Sequence, residues 1–188
     1  MSTVMKFFLT SALILATLVS SVSYSASVLS GTKTINLLTK EGQRIAIGSI
    51  EFIPTANNIQ YQLHIDHTRF KDYFLSMKEM KCLEGPELWC HIRYPYKQPH
   101  TLTISDLRWL EHDLLFMFKK KNEFGANFWN GVYYALMIKE DVILGEAQAI
   151  DLNLLAAPPE DLDTPFYSED LRDEIERVQR WLPDLEIR

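Results

Sequence analysis

The chain has 188 residues, with 19 lysines and arginines against 25 aspartates and glutamates, a formal net charge of −6. This acidic balance argues against nucleic acid and anionic membrane surfaces as partners. A hydrophobic share of 47% is enough for a packed core, and the chain carries no G-x-S-x-G elbow, glycine-rich phosphate loop, H-E-x-x-H or close C-x-x-C pair.

The N-terminus reads as a secretory signal peptide: Lys6 supplies a short positive region, residues 7–19 (FFLTSALILATLV) an apolar stretch, and residues 20–27 small side chains. The apolar stretch falls short of the ~20 residues that span a bilayer. Cleavage is expected after Ser25, with Ser23 and Ser25 at the small-residue positions. The expected organisation is therefore a signal peptide over 1–25 and one β-rich domain over 26–188, periplasmic or secreted, with no membrane span.

Residues 34–39 (TINLLT) are strand-like, and 40–43 form a turn. The next strand, 44–53 (RIAIGSIEFI), slips by one residue in its apolar phase at Gly48-Ser49, which suggests a β-bulge. Residues 59–66 (IQYQLHID) alternate cleanly, with Ile59, Tyr61, Leu63 and Ile65 on one face. Two extended runs then flank a turn at 83–87 (LEGPE), a hairpin pattern that sets Cys82 opposite Cys90 within bridging distance. A disulfide there restricts the unfolded chain by roughly 2.6 kcal/mol on the loop-entropy scale, and it agrees with an oxidising compartment.

Residues 105–112 (SDLRWLEH) are expected to form a short helix, with Ser105 as its cap and Asp106 in its first turn. The run 114–118 (LLFMF) suits either a continuation of that helix or a buried strand, and strand is preferred. Two strands follow, 132–139 and 143–152. Ser168 is placed to cap a last helix over 168–182, with Leu171, Ile175, Val178 and Leu182 on one face and Pro183 ending it. The fold class expected is thus mainly β: an antiparallel meander of about eight strands forming a small barrel or curved sheet, with one inserted helix and a C-terminal amphipathic helix. A lipocalin-like layout is similar by analogy only, since none of that family's motifs is in the sequence.

Three segments, KCLEGPELWC, DLRWLEHDLLF and EFGANFWNGVYY, resemble an uncharacterised family of exported bacterial proteins of proteobacterial type. That group has no assigned activity, so the resemblance implies export and no residue roles.

Three constellations are candidates for function. His64 and Asp66 share a strand face, where they are either metal-ligand types with His91 or His112 folded nearby, or a polar outer face. Glu111-His112-Asp113 offers carboxylates flanking an imidazole, or else the solvated side of a helix whose leucines face inwards. The third is an aromatic, amide-rich loop with ligand-binding candidates Phe124, Asn127, Phe128, Trp129, Asn130 and Tyr133, with Tyr134 beside them. Such a loop either stacks on a sugar or peptide or folds inwards as a plug. Met77, Met80, Met117 and Met137 are expected as core filler. No catalytic residue, metal or cofactor is assigned. The function expected is an exported soluble binding protein for a small apolar or lipid-like molecule. The alternatives are a protein-interaction or inhibitor module using residues 124–134 and, third, a hydrolase-type enzyme.

Overall fold

The computed structural model describes residues 28–75 and 78–188, so the expected signal peptide lies outside the described residues, as does Met77. Its strands are β1 (Gly31–Leu38), β2 (Arg44–Pro54), β3 (Ile59–Ile65), β4 (Lys71–Leu75), β5 (Lys78–Glu84), β6 (Glu87–Ile92), β7 (Thr101–Leu102), β8 (Leu115–Lys120), β9 (Gly131–Lys139), β10 (Val142–Ile150), β11 (Asp173–Glu174) and β12 (Asp184–Ile187), with the helix α1 (Arg108–Asp113) before β8. They form one 12-stranded sheet in the order β4-β5-β6-β8-β9-β10-β12-β1-β2-β3-β7, with β11 beside β10. The sheet is open rather than a barrel, and it is not a simple meander, because β12 is inserted between β10 and β1.

Twelve strands replace the eight expected for identifiable reasons. The run before the cysteine hairpin is itself folded in two, β4 pairing with β5. β7 and β11 are only two residues long, too short for a period to show. β12 lies beyond the proline that closed the sequence reading.

β2 does carry a bulge, beside the expected Gly48-Ser49 rather than at it: Ile35 pairs with Gly48 and Asn36 with Ala46, so Ile47 is the extra residue. In the stapled hairpin Cys82 stands directly opposite Cys90 and the two are bridged. Its tip is closed by Gly85, whose α-carbon faces the ring of Trp181; a β-carbon there would stand 2.2 Å from that ring.

Successive side chains on a strand point to opposite faces, and here both faces are covered. One core holds Trp89, Phe116, Val132 and Tyr134 together with Ile35, Leu37, Ile50 and Phe52. The other takes the alternate residues Leu88, Cys90, Leu115, Met117 and Tyr133, roofed by Leu152, Leu155 and Tyr167. Burial on both sides explains the unbroken apolar run at 114–118, which forms strand β8 over most of its length. Trp89 Nε1–H donates to the Tyr134 hydroxyl (3.1 Å), which donates to the Leu182 carbonyl (2.8 Å), so the polar ends of two buried rings are satisfied.

The expected helix over 168–182 does not form. The segment contains two 3₁₀ turns, Glu169–Leu171 and Arg177–Gln179, with β11 between them. Its apolar residues have no common destination. Leu171 packs on the second core, Ile175 and Leu182 on the first, and Val178 is 82% exposed. Its charges also find partners outside the segment: Arg177 reaches Glu146 and Asp184, and Arg180 reaches the buried Glu87. Of the methionines, Met80 and Met117 are buried as expected, whereas Met137 is half exposed.

Candidate functional site

The helix α1 is shorter than expected and begins after Leu107. Ser105 does not cap it; the Asp106 carboxylate instead accepts from Arg108 N–H (3.1 Å). The reading of Glu111, His112 and Asp113 as a solvated helix side is corrected, because Glu111 and His112 are buried and Asp113 nearly so. Adjacent helical residues diverge by about 100°, and each of the three enters a different environment.

Glu111 reaches β9, accepting from the Leu136 backbone N–H (2.6 Å) and from the Tyr133 hydroxyl. It floors a cleft of about 690 Å³ between α1 and β9 whose rim includes Arg108, Met137, Ser168 and Arg172. Burial pushes its carboxyl up, and the bonds from Tyr133 and Leu136 pull against that.

His112 lies in a box of rings formed by Tyr94, Trp109, Tyr133 and Tyr167. Its Nδ1–H donates to the Arg108 carbonyl (2.7 Å) and its Nε2 accepts from Tyr167 N–H (2.9 Å), which fixes the neutral tautomer. Burial depresses its pKa to about 4. Both nitrogens are occupied, so this imidazole has a structural role.

Asp113 belongs to a polar cleft of about 430 Å³ where β3 faces the end of β6. Its Oδ2 accepts from the Tyr61 hydroxyl (2.8 Å) and from His100 Nδ1 (3.1 Å), and its Oδ1 accepts from Gln98 Nε2 (2.5 Å). His91 Nε2 donates to the Asp113 backbone carbonyl (3.0 Å). Burial pushes the Asp113 carboxyl up against the pull of Tyr61 and His100. Burial and then the Asp113 charge raise the Tyr61 phenol, keeping it a donor, while burial lowers His91 and favours its neutral form. Gln62, Leu63, Ile65, His67 and Arg93 complete the lining. His100 sits at φ 51°, in the left-handed region that few non-glycine residues enter, histidine more readily than most, and its carbonyl accepts from Tyr61 N–H (3.0 Å).

Sequence reading overlooked this cleft. Its polar residues come from five separate segments, and no local spacing links them. His64 and Asp66 stay apart from it, lining a shallow depression with Ala46, Gly48, Ser49 and Arg69. Asp66 there accepts from Thr68. Among the described residues no group of three His, Cys, Asp or Glu side chains is placed to hold a metal ion.

The aromatic loop divides into base and tip. Tyr133 and Tyr134 are fully buried on opposite faces of β9. Phe128 packs partly on the second core. Asn127 holds a 3₁₀ turn, Phe128–Asn130, by accepting from Trp129 N–H (3.2 Å). Gly131 allows the strand to approach Ile150, since a β-carbon would meet that residue's carbonyl at 2.5 Å. Gly125 turns the chain at φ 69°. Above this base Phe124 is fully exposed and Trp129 is 70% exposed. Among the described residues no helix is long and apolar enough to cross a membrane. No family model, no curated protein and no solved structure matches the chain.

Proposed function

We propose that the chain is an exported binding protein that works from its outer surface, capturing a face of another protein through the loop 124–130. The observation that carries this reading is the pair Phe124 and Trp129, exposed on a loop whose base is fixed by Asn127, Phe128 and Gly131. Rings held out by an ordered backbone lose little entropy on contact, and interface energy concentrates in such anchors. Leu154, on the neighbouring turn Leu152–Ala156, is also exposed and extends the apolar surface. The N-terminal charge and apolar order support export, as does the bridge between Cys82 and Cys90.

A small apolar ligand inside the sheet is the competing reading. The interior positions are taken by Trp89, Phe116, Tyr134, Phe52 and Leu110, all under 2% exposed, which favours the surface instead. The test is native mass spectrometry of protein purified from its own compartment, wild type against Phe124→Ala/Trp129→Ala. The expected result is a bound protein lost from the double variant, with stability unchanged within about 0.5 kcal/mol. A stability loss of roughly 3–5 kcal/mol would mean that the rings are core residues, and equal capture by both proteins would place the contact elsewhere.

A further inference from the structure

We propose that the cleft between β3 and the end of β6 binds a small amphipathic anion: one carboxylate or phosphate group on a short apolar body. The carboxylate of Asp113 is already committed within the protein. Its two oxygens hold three donors, from Tyr61, His100 and Gln98, and the side chain is only 13% exposed. The carboxylate is therefore an internal counter-ion that positions the groups around it, and it has little capacity left for a ligand.

The donor group left uncommitted on the lining is a guanidinium. Arg93 lines the cleft and, among the described residues, makes no hydrogen bond or ion pair. His100 is tied back, its Nδ1–H donating to Asp113 and its ring 5.6 Å from that of Tyr61, edge to face. His67 stands on the same lining. One guanidinium without a hydrogen-bonded partner thus lines the cleft, beside the rings of His67, His91 and His100.

The other wall is apolar. Leu63 and Ile65 follow Tyr61 on the same face of β3 and are only partly buried in the first core. A cation would meet Arg93, and a purely apolar molecule would strip water from its guanidinium without replacing the bonds. A head group of acceptor oxygens satisfies Arg93 through its planar fork, while an apolar body covers Leu63 and Ile65. The volume, about 430 Å³, is that of a small-molecule site.

The experiment is calorimetric titration of octanoate, octyl phosphate, octanol, acetate and inorganic phosphate into the wild type and Arg93→Gln. The expected result is saturable one-to-one binding of octanoate or octyl phosphate, at least about tenfold tighter than octanol, acetate or inorganic phosphate. The tighter of the two amphiphiles identifies the head group. Arg93 is exposed, so Arg93→Gln should keep the wild-type melting point while weakening the preferred amphiphile by about tenfold or more. Leu63→Asp, which places a charge on the apolar wall, should weaken it comparably. Octanol binding as tightly as either amphiphile, an unchanged affinity in Arg93→Gln, or saturation by none of the probes would overturn the proposal.

Discussion

His112 accepts a hydrogen bond on one ring nitrogen and donates from the other, an arrangement that only the neutral ring can hold. Adding a proton would turn Nε2 into a donor facing the Tyr167 N–H, inside a box of four aromatic rings. Its folded pKa of about 4 lies below the ordinary value of 6.5, so at pH values between the two the unfolded chain binds more protons at this site. Stability from this group is therefore fully present above about pH 6.5, declines as pH falls, and is lost below about pH 4, amounting to roughly 3 kcal/mol. Glu111 and Asp113, both raised by burial, act in the opposite direction over the lower part of that range. Urea melts of wild type and His112→Gln across pH 4 to 7.5 separate the contributions: the wild type should lose more stability on acidification than the variant. Parallel curves would show that this imidazole is not the neutral group described.

Among the elements, the stapled hairpin was the most legible in sequence, because strand alternation, a Gly-Pro turn and facing cysteines all agree. Its docking was not legible. Trp181, nearly a hundred residues later, lies against Gly85, and the Trp181 N–H donates to the buried Glu87 carboxylate (2.9 Å). Gly85→Ala should therefore force the indole aside and cost about 1–3 kcal/mol, read as a shift in denaturant midpoint. A shift below about 0.5 kcal/mol would mean that the ring is free to move. The segment after Ser168 misled for a related reason. Leucine and isoleucine at helical spacing describe a stripe only when one neighbour receives them all, and here Leu171 and Leu182 enter cores on opposite faces of the sheet. The cleft at Asp113 was hidden by the same dispersal. Tyr61, His91, His100 and Asp113 each carry an unremarkable local context, and only the folded sheet brings them together.

Taken as a whole, the molecule is two sets of strands joined through one. β1, β2, β3 and β7 form one flank and β4, β5, β6, β8, β9 and β10 the other; β12 lies between β1 and β10 and pairs with both. Ile187 stands opposite Ile35 on one side and Ile143 on the other, and Leu185 and Ile187 are fully buried. Arg44 forks onto Glu186 at 2.7 and 3.1 Å, tying β2 to the same strand. Removing residues 184–188 should therefore uncouple the flanks and abolish a single cooperative unfolding transition, rather than fray one edge. Differential scanning calorimetry decides this: a sharp transition within a few degrees of the wild type would show that β12 is dispensable. At the outer edge, β4 carries the exposed Phe74 but also Lys71 and Asp72, which pair with Glu84 and Lys81 on β5. Charges on an end strand discourage pairing with a second molecule.

The place of β12 also sets a schedule. A polypeptide leaves a ribosome or a membrane channel N-terminus first, and of these twelve strands the one that knits the sheet is the last to emerge. Until Asp184–Ile187 arrives, β1 and β10 each present an unpaired row of backbone groups and Leu37 and Ile143 have no neighbour strand between them. Neighbouring strands can pair as hairpins before then, but the joining of the two flanks waits for β12, and long-range pairings of this kind form slowly.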